Sequence, residues 1–170
     1  KVWDDNSNQD GKRPTEVTVH LFADGVKIQT VQVTEADGWK YTFTNLPRFK
    51  DSQEIVYTVQ EDQVAGYQSP TVDGFTITNK RIPEKTRIAV NKIWDDANNQ
   101  DGIRPLFITA ILKADGIEIG RLVITAGPDG SWKGEFTNLD VYRNGVKIDY
   151  TVDEEIVPAD YTKTITGDAT

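Results

Sequence analysis

The chain has 170 residues, of which 27 are acidic and 19 basic, giving a formal net charge of −8. That balance argues against nucleic acid and anionic membrane surfaces as partners, since both are read with Lys/Arg patches, and no apolar run approaches the roughly 20 residues that span a bilayer. Cys and Met are absent and His20 is the single histidine, which excludes thiol chemistry, disulfides and Cys-based metal sites and removes most metal and His-triad readings, leaving no cofactor or metal indicated.

The dominant feature is an internal repeat. KVWDDNSNQDGKRP, Lys1–Pro14, returns as KIWDDANNQDGIRP, Lys92–Pro105. Later matches keep their order: Ala23–Gly25 with Ala114–Gly116, Phe43–Leu46 with Phe136–Leu139, and Tyr57–Glu61 with Tyr150–Glu154. The spacing of about 91 to 93 residues is too long for a solenoid unit and suits a whole small domain. The sequence therefore predicts two tandem copies of one fold, residues 1–82 and 83–170. The polar, Pro-containing stretch Lys80–Thr86 is the joint, short enough to be a stiff connector.

In chain order, Val17, Val19 and Leu21 alternate with Thr18 and His20, a half-buried strand. Ala23-Asp24-Gly25 turns the chain into a second strand carrying Val26 and Ile28. Trp39, Tyr41 and Phe43 alternate with Lys40, Thr42 and Thr44, predicting a strand with one aromatic face, more readily a core face than a sugar or peptide groove. The second copy repeats this with Ile108, Ala110 and Leu112, then Trp132 and Phe136 around Gly134. No stretch carries a 3.6-residue period. Seven or so short strands per copy, with turn signals every 8 to 12 residues, predict an all-β sandwich.

The copies are cut unevenly. Thr86–Asn91 precede Lys92 and supply the start of a first strand, whereas copy one opens at Lys1, so its first strand is expected to lack its beginning. Phe75–Asn79 form a last strand in copy one; copy two is expected to lack its counterpart. With no signal peptide at its start, the sequence reads as a mature piece of a longer array.

These motifs in this order, twice over, resemble the Cna protein B-type repeats of Gram-positive surface adhesins and pili. The resemblance rests on Lys-x-Trp-Asp-Asp, Asn-x-Gln-Asp-Gly-x-Arg-Pro, the Trp-Lys strand with Thr-Asn-Leu, Tyr-Thr-Val-x-Glu and Ile-Thr-Asn. It implies two transthyretin-like β-sandwiches and, as in many members, a spontaneous Lys–Asn isopeptide bond assisted by an acid on a middle strand. Carried over residue by residue, it makes Lys1 and Asn79 the crosslinked pair and Glu61 the assisting acid of copy one. In copy two it makes Lys92 the amine and Glu154 the acid, with the matching Asn a few positions beyond Thr170. Asp168 aligns nearer Asp73 than Asn79 and is not taken as the acceptor.

The chemistry asked of these groups is ordinary. A lysine amine is nucleophilic only when neutral, and burial penalises its charged form. An asparagine amide is a poor electrophile until a donor polarises its carbonyl, and a protonated buried carboxyl supplies that donor. Without the resemblance, the same three residues would read as a solvated strand Lys, a surface carboxylate and a turn Asn.

Other features weigh less. Asn6–Gly11 has the spacing of the start of a calcium loop, but its closing Glu is missing, so a hydrogen-bonded Asx/Gly turn is the better reading. Arg13-Pro14 and Arg104-Pro105 are expected to set the entry to the next strand and to pair with a nearby Asp. Asp4-Asp5 and Asp95-Asp96 cannot flank one glycosidic bond, because neighbours in a strand face opposite ways. The resemblance implies non-enzymatic stalk modules of a cell-wall-anchored extracellular adhesin, whose partners are neighbouring repeats and a head domain that binds host matrix protein. The alternatives are direct matrix-protein or carbohydrate binding by the modules themselves, and a transthyretin-like carrier or hydrolase, which one histidine disfavours.

Overall fold

The computed structural model describes residues 1–167, and all regular secondary structure among them is strand. The chain divides into two compact units, Lys1–Pro83 and Glu84–Thr170. Unit one holds β1 (Val2–Asp4), β2 (Glu16–Ala23), β3 (Val26–Thr34), β4 (Phe49–Lys50), β5 (Gln53–Glu54), β6 (Tyr57–Glu61), β7 (Thr71–Asp73) and β8 (Thr76–Lys80). Unit two holds β9 (Lys85–Lys92), β10 (Phe107–Ala114), β11 (Ile117–Thr125), β12 (Trp132–Asp140), β13 (Tyr142–Arg143), β14 (Val146–Lys147) and β15 (Tyr150–Glu154).

In unit one, β3-β2-β6 form one antiparallel sheet and β1-β8-β7 another, in which β1 runs parallel to β8. The period-2 pattern of β2 puts Val17, Val19 and Leu21 inward, where they meet Val33, Val59, Trp39 and Ile77 in one core. Both sheets contribute to that core, so the unit is a sandwich. On its outer face, His20 bridges the sheet, one ring nitrogen 2.9 Å from Thr30 Oγ1 and the other 2.9 Å from Asp62 Oδ1.

Unit two repeats the first sheet as β11-β10-β15, with Ile108, Ala110, Leu112 and Ala114 inward. Its second sheet is β12-β9, paired from Trp132↔Lys92 to Asp140↔Lys85. Ile88 and Val90 of β9 thereby enter cores that Phe136 of β12 joins together.

One predicted strand differs between the copies. Trp132–Asp140 is a ladder strand, whereas its counterpart from Trp39 onward in unit one starts in a turn and joins no strand ladder. A strand exists by virtue of its partner. The partner of β12 is β9, and within residues 1–83 the counterpart of β9 is Lys1 alone, whose backbone nitrogen donates to Trp39 O at 3.0 Å. The aromatic face is accordingly split, with Trp39 buried, Phe43 half-buried and Tyr41 exposed. Together with Phe75 they line an open cleft of about 480 Å³.

Candidate functional site

Strand periodicity brings the predicted groups of unit one together. On β6, Val59 and Glu61 face inward; on β8, Ile77 and Asn79 do so. Ahead of β1, Lys1 shares the inward face with Trp3 while Val2 points out. The parallel register Trp3↔Asn79 carries β1 past the Asn, and Val19↔Glu61 sets the acid at the core end of the opposite sheet.

The three side chains meet at one carboxylate. Lys1 Nζ lies 3.2 Å from Glu61 Oε1 and 3.0 Å from Oε2, and Asn79 Nδ2 donates to the same Oε1 at 2.6 Å. The side chain of Lys1 is 3% exposed and Asn79 is fully buried at 0%. Burial holds the Lys1 ammonium below the ordinary lysine value, against the opposing hydrogen bond and charge of Glu61. Lys1 Nζ also sits 4.4 Å from the centroid of the Trp3 ring. Asn79 Oδ1 is buried without a hydrogen-bond partner, a deficit of about 1–3 kcal/mol for a neutral polar atom.

Unit two repeats the amine and the acid. Lys92 Nζ lies 3.3 and 3.0 Å from the two oxygens of Glu154 and 4.3 Å from the Trp94 ring centroid. The partner Asn assigned beyond Thr170 and the alternative Asp168 both lie outside the described residues.

A second replicated cluster flanks each site. Asp5 receives Arg13 through Nε at 3.0 Å and Nη2 at 2.6 Å, and Tyr67 donates its hydroxyl to Asp5 Oδ2 at 2.8 Å. In unit two Arg104 Nε reaches Asp96 at 2.9 Å and Tyr161 donates to it at 3.0 Å. Burial pushes the Asp5 carboxyl up, but the bonds from Arg13, Tyr67 and the Asn8 backbone outweigh it and hold the group below the usual carboxylate range. The Arg104 guanidinium does the same for Asp96, bringing it to about 2.

The Arg–Asp pairing expected from the repeated Arg-Pro is present in both copies. The tyrosines were not anticipated, although the sequence held a signal: each follows its unit's acid by six or seven residues. The Asn6–Gly11 segment is a turn, with positive φ at Asn6, Ser7, Asn8 and Gly11. In it Asn8 N donates to Asp5 Oδ1 at 3.0 Å and Arg13 N to Asn8 Oδ1 at 2.9 Å. Both Asp5 oxygens are committed to protein donors. Asp4 faces outward toward Lys80 while Asp5 is buried, so the Asp pair points to opposite sides.

Tandem sandwiches that each turn a lysine and an acid inward at the edge of the core define a β-sandwich repeat module. The sequence profile of the Cna protein B-type domain matches residues 1–80 and 88–170, and the chain belongs to that family. It is 45% identical over 162 residues to a collagen adhesin of Staphylococcus aureus, covering 95% of this chain and 14% of that protein. Among solved structures it is similar to a single B repeat unit (B1) of the S. aureus collagen-binding surface protein Cna, at 41% identity, 99% of this chain, 89% of that chain and a TM-score of 0.47. The two-repeat structure (B1B2) gives 42% identity, 99% and 45% coverage and the same TM-score of 0.47. The family inferred from the motifs is therefore the family of the chain.

Proposed function

We propose that the two units are structural spacer modules of a Gram-positive surface adhesin, and that unit one hardens itself by an intramolecular amide bond between Lys1 and Asn79. The observation that carries this reading is the convergence of a buried amine and a buried amide on the single carboxylate of Glu61. As a purely structural device the trio is poor. Buried ion pairs seldom repay their desolvation, and the unpartnered Asn79 oxygen adds to the cost. As a reaction site it is well ordered.

A proton moved from Lys1 Nζ to Glu61 leaves a neutral amine beside a neutral acid. A half-turn of the Asn79 amide exchanges its nitrogen and oxygen, so that the acid donates to Oδ1 and gives the orphaned oxygen its partner. The amine then attacks Asn79 Cγ, and Glu61 stabilises the developing oxyanion. Collapse breaks the Cγ–Nδ2 bond, with Glu61 relaying a proton from the attacking nitrogen to the departing one. The products are a secondary amide and ammonia; the ammonia takes from Glu61 the proton first moved from Lys1 Nζ and leaves as ammonium, which returns the acid to its carboxylate.

The set turns over once, on its own chain, and acts on no external substrate. Closing a loop of nearly a whole unit is worth about 4 to 5 kcal/mol by chain-entropy logic. Tension entering through β1 and leaving through β8 would then cross a covalent bond in place of their short hydrogen-bonded ladder. A spacer in this role belongs outside the cell on an anchored surface protein, beside further repeats and a head domain that contacts host matrix. Tandem mass spectrometry of a digest tests it: a branched peptide joining Lys1 to Asn79 is expected, and recovery of both residues only in linear peptides contradicts it.

A further inference from the structure

Just after Asn79, near the end of unit one, Arg81 bonds back to the unit. Its backbone nitrogen donates to Asp4 O at 2.9 Å. Its guanidinium reaches Asp10 Oδ2 through Nε at 3.1 Å and Nη2 at 3.0 Å, and donates to Gly66 O through Nη1 at 2.6 Å. The Arg81 side chain is only 11% exposed and that of Asp10 only 2%. Charge-assisted contacts at such burial are costly to open, because opening strands a buried carboxylate.

Gly66 is shaped for this guest. Its φ is +79°, and a Cβ there would stand 2.8 Å from Arg81 Nη1. The loop around it is fastened in turn, Gln63 Nε2 donating to Val64 O at 3.0 Å and to Tyr67 O at 2.8 Å. On the far side of the joint, Glu84 O accepts from Val141 N at 3.1 Å and Lys85 pairs with Asp140. Ile82 and Pro83 follow Arg81, and proline restricts both.

We infer that Arg81 is a connector lock, a built-in device that pins the start of the joint to unit one and withholds this arginine from trypsin-like proteases. Such a protease must draw the arginine side chain into a pocket and hold the backbone extended. Neither is possible while the guanidinium is held by Asp10 and Gly66. The inference goes beyond the spacer reading and does not depend on the crosslink.

Limited trypsin digestion of the full chain tests it, with cleavage after Arg48, whose side chain is 74% exposed, as internal reference. Asp10→Ala keeps the Arg81–Ile82 bond but removes the salt bridge, and Gly66→Ala pushes the guanidinium out. Gly74→Ala, at a positive φ with open space around it, imposes a similar backbone strain without touching Arg81. The lock predicts cutting after Arg81 at least about tenfold faster in Asp10→Ala and Gly66→Ala, with cutting after Arg48 and in Gly74→Ala unchanged. The inference is overturned if the parent chain is cut as readily after Arg81 as after Arg48. It is overturned equally if both variants keep the parental rate, or if both sites accelerate together in both variants.

Discussion

Tyr67 donates its hydroxyl to Asp5 across 2.8 Å in the interior of unit one, joining residues far apart in sequence. With Arg13 on the same carboxylate, it fastens the turn after β1 to the loop after β6. Tyr67→Phe removes one donor from a buried carboxylate and is expected to destabilise unit one by about 1–3 kcal/mol. A melt of the variant should show a midpoint lowered by about 4 °C or more; an unchanged midpoint would make the hydroxyl dispensable.

Of the carboxyls of unit two held below their usual range, Asp96 and Asp153 set the pH response. Asp96 is held at about 2, first by Arg104, and Asp153 at about 2, first by Lys163. A folded-state value below the unfolded one gives stability that is complete above the unfolded value and fades as pH falls through the folded one. The melting temperature of unit two should therefore hold from neutrality down to about pH 4 and drop between about pH 4 and pH 2. In Asp96→Asn that drop should shrink; an equal drop would place the acid sensitivity elsewhere.

Gly134 lies in β12, where an added Cβ would come 2.5 Å from Leu122 Cδ2 and 3.2 Å from Ile124. Gly134→Ala should overpack the core of unit two at a cost of about 1–3 kcal/mol. Denaturant titration would register this as a lower midpoint at unchanged slope. The counterpart position in unit one is Tyr41, which is exposed and stands edge-on to Phe43 at 5.0 Å between ring centroids.

Glu61→Gln should leave unit one folded yet uncrosslinked, since the amide fills the same volume but cannot accept and return a proton. Lys92→Ala and Glu154→Gln should leave the number of crosslinks in the 170-residue chain unaltered. Intact Glu61→Gln protein carrying the bond would remove the acid from the mechanism.

The fold was legible where alternation is decisive. Val17, Val19 and Leu21 are inward, as are Ile108, Ala110 and Leu112, because a half-buried strand must face its apolar side to the core. Glu61 and Asn79 were found only through the family motifs, for one polar residue at the end of an apolar strand looks solvated until its inward neighbours are known. The Trp39–Phe43 segment failed as a strand because pairing depends on a distant partner that local pattern does not encode. Tyr67 and Arg81 were missed for the same kind of reason: their partners, Asp5 and Asp10, lie more than half the unit away in sequence.

Intact-mass spectrometry of the purified chain is the most direct test of the central claim. Each amide formed with loss of ammonia lowers the mass by about 17 Da. A single such deficit that disappears in Lys1→Ala and in Asn79→Ala is the predicted result, and a parent chain at the full mass of its sequence would contradict it.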